Sequence, residues 1–284
     1  MYANHHTHTE YCDGKASAAA MAAEASRLGM KVLGFSSHAP LPFRTEWTMD
    51  WANLDAYAAT VRSLAAEYAP KDMDVLLGLE IDYIDGLCGP ADGRFASLGL
   101  DFSIGSVHHV RPPALGDDPL ATVDGAQEGF DALIAQGYGG DALGLAEDYY
   151  RAVGLCVKAG GFDILGHFDL VRKNNPAQSR FREDHRRYRD AAMEAAEALR
   201  GTGVIVEINT GGMARGKTRS PYPEQWILRE LRAMDVPVCV NSDAHDTAHL
   251  SAFREAGVGA ARAAGYRELT IVRRGRRETV PLDA

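Results

Sequence analysis

Seven short strand-type runs, all but the first rich in β-branched and aliphatic residues, alternate with longer Ala- and charge-rich stretches, and this alternation restricts the fold more than any other feature. The strand-type runs fall near residues 2–6, 31–36, 74–81, 101–107, 162–167, 203–209 and 236–241. Between them, 17–28, 52–68, 143–159, 184–200, 223–234 and 247–264 have the length of crossover helices. Strands separated by helices pair in parallel, because parallel neighbours need a long return connection. The expected fold is therefore α/β, and 284 residues suffice for a β/α barrel, which takes about 250. No Pro/Gly/Ser-rich linker divides the chain, so residues 1–284 read as one domain. The tail 268–282 is expected to form a hairpin turning at Gly275, and the Gly-, Asp- and Pro-rich stretch 111–142 an irregular, pocket-shaping loop.

The ends of these runs carry metal-ligand side chains. His6 and His8 follow the first run, His38 the second, Glu80 the third, His108 the fourth, His167 the fifth, Glu207 the sixth, and Asp243 with His245 the seventh. In a parallel barrel all these ends open on one face, where active sites sit. Residues two apart in an extended segment project to one side, so His6/His8 and Asp243/His245 each present a pair of ligands. Glu80 closes the apolar run VLLGLE, where a carboxylate is costly unless paired or metal-bound. Asp13 supplies a further oxygen, and neutral imidazole suits zinc, iron or nickel better than magnesium. His5 and His109 alternate to the other side and read as packing or supporting groups, His185 and His249 as solvated helix residues, and Cys12 as an inert thiol.

Composition removes several function classes. A net charge of −9 opposes general nucleic-acid binding, which calls for a basic stripe. Four dispersed cysteines form no CxxC pair, so neither a zinc ribbon nor a disulfide framework is expected. The sequence opens without a basic segment and apolar run, and no uncharged apolar stretch approaches the roughly 20 residues of a membrane helix. The expectation is a cytoplasmic protein, monomeric or homodimeric, with no membrane or nucleic-acid partner.

The motifs HTHTEYCDG (6–14), SSHAP (36–40), GLEIDY (78–83), IGSVHH (104–109), GHFDLVRK (166–173), EINTGG (207–212) and NSDAHD (241–246) resemble, in order, those of the polymerase-and-histidinol-phosphatase (PHP) superfamily, and within it the histidinol-phosphatase branch. The resemblance spans nearly the whole chain. It implies a distorted seven-stranded, TIM-like β/α barrel with two or three divalent ions, Zn, Fe or Mn. His6, His8, Glu80 and Asp243 would hold one ion, Glu80 would bridge to a second held by His108 and His167, and Asp13, His38 and His245 would complete a third site. Many superfamily members carry histidine at position 13, so the aspartate is a departure. The implied activity is hydrolysis of a small phosphomonoester, foremost L-histidinol phosphate, by attack of a water activated between the ions. The implied catalytic residues are Glu80, Asp13 and His245, either of the last two protonating the leaving alcohol. Arg215 and Arg172 are the implied phosphate contacts; Glu207 and Asn209, on one side of the sixth strand, orient a ligand or meet the substrate amine. The competing readings are a phosphoesterase acting on nucleotides and a non-catalytic metal-binding regulator.

Overall fold

A computed structural model describes residues 2–116 and 120–282 of the chain. Among these residues the fold is α/β with parallel sheets. β1 (Ala3–Asn4), β2 (Val32–Phe35) and β3 (Asp74–Leu77) form one parallel sheet in that order. A second joins β4 (Glu80–Asp82), β5 (Ile104–Ser106), β8 (Ile164–Leu165), β9 (Ile205–Asn209) and β10 (Val238–Asn241), with neighbours parallel throughout. β6 (His109–Val110) pairs antiparallel with β7 (Ala121–Thr122). β11 (Glu268–Arg273) and β12 (Arg276–Pro281) make the expected C-terminal hairpin, whose turn residues Arg274 and Gly275 both have positive φ, as a tight two-residue turn requires.

Each expected strand is present, but the third is divided. The run 74–81 breaks at Gly78 and Leu79 into β3 and β4, which belong to different sheets, so Glu80 opens a strand instead of closing one. The Phe102 ring lies where side chains at Gly34 and Gly78 would stand, about 2.6 and 2.5 Å from their notional Cβ atoms. Isolated parallel bridges join His38 to Glu80 across the gap between the sheets, and Thr7 to Ala244 at the opposite end.

Helices cover the outside. Ala18–Arg27 is capped by the Ser17 hydroxyl, which accepts from the Ala20 amide at 3.2 Å. With Leu54–Tyr68 it encloses one apolar core against β2 and β3. Ala142–Ala159 and Arg186–Glu197 pack together over the second sheet, joined by buried Tyr150 and Tyr188 hydroxyls 2.8 Å apart. The stretch 111–142 is less irregular than expected: it contains β7 and the short helix Gln127–Ala132, which runs on into a wider turn, Leu133–Gly137. No helix among the described residues is long and apolar enough to cross a membrane.

Candidate metal centre

The two ligand pairs are stitched edge to edge beyond the strands. The His8 amide donates to the Ala244 carbonyl at 2.8 Å and the Ala244 amide to the His6 carbonyl at 3.2 Å, so His6, His8, Asp243 and His245 meet at one point. Asp243 holds a left-handed backbone, φ 50°, a conformation aspartate tolerates better than most residues. Glu80 is the hub, 1% exposed. Its Oε2 lies 3.1 Å from His6 Nε2, 3.5 Å from His8 Nε2 and 3.0 Å from His38 Nδ1; its Oε1 lies 3.0 Å from His167 Nε2 and 3.6 Å from His108 Nε2. Asp243 Oδ1 is 3.3 Å from His8 Nε2. At the rim, Asp13 Oδ2 faces His245 Nε2 at 3.2 Å, and its Oδ1 faces His38 and His8 at 3.9 and 3.8 Å.

This arrangement fits divalent ions. His6 Nε2, His8 Nε2, His38 Nδ1 and Glu80 Oε2 are buried without hydrogen-bond partners, a costly state unless a cation completes them. Ligands about 2.1 Å from a tetrahedral ion lie about 3.4 Å from one another, which is the spacing observed. Three groups of donors each bring their ligand atoms within 4.8 Å of one another: His6, His8 and Glu80; His38, Glu80 and His108; and His8, Asp13, His38 and His245. The charge balance points the same way. Burial opposes charge on His6, yet Glu207, Glu80 and Asp243 raise its pKa well above the usual imidazole range. Burial likewise opposes ionisation of Glu80, but His6, His38 and His108 hold it well below the usual carboxylate range. Burial, with His245 and His38 beside it, pushes His8 down to about 3, keeping its lone pair available.

Supporting groups fix the ligands. Glu207, fully buried, takes His6 Nδ1 at 2.7 Å and so directs Nε2 into the cluster. Asn209 donates to Glu207 and, at 3.3 Å, to Asp243 Oδ2. Neither Glu207 nor Asn209 lines the cavity, which leaves, of the two expected roles, the orientation of a ligand. Asp82, which the sequence reading missed, bonds His108 Nδ1 and, at 3.0 Å, His109 Nδ1; its spacing of two from Glu80 was the available signal. His5 packs away from the centre, edge-on to Phe102.

A cavity of about 610 Å³ opens above the cluster. Arg215 stands in its wall, donating to Asp243 Oδ2 at 2.7 Å. Trp47, also missed, stacks on His109 and lies edge-on to His38. His249 lines the cavity half-buried, a correction to the solvated reading. His185 is exposed and caps the helix that follows. Arg172 is not in the cavity: its guanidinium is occupied by Asp169, Glu183 and Glu224 behind the wall, and its neighbour Lys173 reaches the cavity instead.

The profile of the PHP domain matches residues 4–211. Among curated proteins, the chain is 28% identical over 250 residues to a probable histidinol-phosphatase of Deinococcus radiodurans, covering 84% of this chain and 85% of that one. It is 27% identical over 255 residues to the histidinol-phosphatase of Bacillus subtilis, covering 84% and 92%. Among solved structures it resembles a putative histidinol phosphatase from Listeria monocytogenes, with a TM-score of 0.75, 22% identity, and coverage of 88% and 97%. It also resembles histidinol phosphate phosphatase from Lactococcus lactis, solved with zinc, L-histidinol and phosphate: TM-score 0.69, 19% identity, and 98% of each chain.

Proposed function

The chain belongs to the PHP domain family, and on that footing we propose that it is a metal-dependent phosphomonoesterase converting L-histidinol phosphate and water to L-histidinol and phosphate, a step of histidine biosynthesis. The observation that carries the reading is the set of unpartnered, buried donors at metal-ligand spacing, of which His38 and Glu80 line a cavity that also holds Arg215. The curated relatives named for this activity support the substrate.

We read the two parallel sheets, with β3 and β4 taken as the two halves of the divided third strand, as one distorted seven-stranded barrel comprising a single domain; the bridges His38–Glu80 and Thr7–Ala244 support that closure. His6, His8, Glu80 and Asp243 would hold one ion, Glu80 with His108 and His167 a second, and Asp13, His38 and His245 a third. The imidazole-rich set favours Zn, Fe or Mn over Mg. Bound there, divalent ions supply Lewis acidity toward the phosphoryl group and a water acidic enough to attack near neutral pH. Arg215 binds the phosphoryl oxygens, its fork held in place by Asp243. Asp13 and His245, paired at the rim, would meet the third ion through the atoms that face each other, so the proton for the leaving oxygen comes from a water held by either of them.

A test follows from Arg215. Replacing it with Ala removes a charge-assisted contact, so kcat/KM for L-histidinol phosphate should fall about 100-fold and competitive inhibition by inorganic phosphate should weaken about tenfold or more. Steady-state kinetics with a phosphate titration reads both. An unchanged inhibition constant would remove Arg215 from the phosphate site.

A further inference from the structure

L-histidinol phosphate carries a protonated amine beside its phosphate ester, and the carboxylate expected to meet it, Glu207, is sealed beneath His6. Among the described residues, the cavity is lined by just two carboxylates outside the metal cluster, Asp124 and Asp246. Asp246 is engaged locally: its Oδ1 accepts from the Ala248 amide at 3.1 Å and caps the short turn Thr247–His249. Asp124 is held from outside its own segment. The Val123 amide donates to the His108 carbonyl at 2.9 Å, which ties the segment to a cluster residue. The buried Asn174 side-chain amide donates to the carbonyls on both sides of Asp124, Val123 at 3.2 Å and Gly125 at 3.1 Å. Lys173 Nζ completes the clamp, 2.7 Å from the Asp124 carbonyl and 2.6 Å from its Oδ1. A half-buried carboxylate is thus fixed over the cavity with its backbone immobilised, and its charge is felt at both His108 and Arg215.

We propose that Asp124, positioned by Lys173 and Asn174, is the specificity residue that receives the cationic amine of the substrate's alcohol portion. The proposal rests on the phosphomonoesterase reading above and adds the chemical class of alcohol that the cavity selects: one bearing an ammonium group close to the ester. A fixed anion costs no reorganisation when the ammonium arrives. It also counters the cationic character that Lys15, Lys173 and Arg215 give the same cavity, which by itself would accept any phosphomonoester.

The experiment compares kcat/KM for L-histidinol phosphate with that for its deaminated analogue, imidazolylpropyl phosphate. In the wild-type holoenzyme the ratio should be about 10 to 100, the worth of a charged hydrogen bond. In Asp124→Asn, of nearly the same size, the ratio should fall to within about threefold of unity. Asp124→Glu should restore part of it, and Lys173→Met, which releases the carboxylate from the group that positions it, should lower the ratio part-way toward unity; these two variants decide the matter if the first does not fold. A folded Asp124→Asn protein that retains the wild-type ratio would overturn the role of Asp124 while leaving the hydrolase reading intact. Equal turnover of both esters by the wild type would show that no amine is recognised. Turnover of neither by the metal-loaded protein would remove the hydrolase reading and the proposal with it.

Discussion

Glu80→Gln is expected to keep the fold and to lose at least ~10³-fold in kcat/KM for L-histidinol phosphate, about 4 kcal/mol of transition-state stabilisation. The reason is the position of the carboxylate. One oxygen faces His6, His8 and His38, and the other faces His108 and His167, so a single anion serves two groups of donors. The amide has the same shape but carries no charge, and its NH2 turns a donor toward imidazoles whose lone pairs the cluster needs. Metal content measured on the purified variant should fall in parallel with activity, while circular dichroism stays that of the wild type. Full metal content with activity within tenfold of wild type would contradict the bridging role.

Arg172→Ala should cost about 3–5 kcal/mol of stability, because it strips the counter-ion from carboxylates that remain buried. Asp169 contacts Arg172 at 3.1 Å and Glu183 contacts it at 3.2 Å; Glu224 and the Ser220 hydroxyl complete the shell. Burial dominates at Asp169, holding its pKa up at about 6 even with Arg172 beside it, and burial also raises Glu183. A carboxyl whose pKa is higher folded than unfolded makes stability fall as pH rises between the two values, from about 4 to about 6 for Asp169. Without Arg172 that window extends upward. The variant's deficit in Tm, about 5–8 °C near neutrality, should therefore shrink at pH 5. A loss below ~1 kcal/mol that is equal at both pH values would show that the cluster is not desolvated as described.

Strand positions were legible because apolar runs end abruptly at polar side chains: DVLLGLEI, DFSIGSV and VPVCVN each mark a strand without long-range information. The break between β3 and β4 was not, because its cause is distant. Phe102, over twenty residues on, fills the space beside Gly34 and Gly78. The site divides in the same way. Period-two spacing placed His6 with His8 and Asp243 with His245, and applied to GLEIDY it would also have placed Asp82 with Glu80. The same rule put Glu207 and Asn209 on one side of β9, but their depth beneath His6 depends on how β1 meets β9 and β10. Arg172 and Lys173 differ by a fraction of a turn in the short helix Leu170–Asn174, and only the packing against Glu183 and Glu224 decides which one reaches the cavity. Trp47, in an irregular segment with no periodicity to read, left no signal at all.

The most direct test is phosphate release by metal-analysed protein from L-histidinol phosphate, beside a mononucleotide and a nucleoside bisphosphate, before and after the ions are stripped by a chelator and returned. The prediction is a kcat/KM for L-histidinol phosphate at least ~100-fold above the others, about 2.7 kcal/mol of discrimination, lost with the metal and regained on its return. Equal or reversed preference would contradict the histidinol phosphate assignment, and no turnover of any ester with metal bound would contradict the enzyme itself.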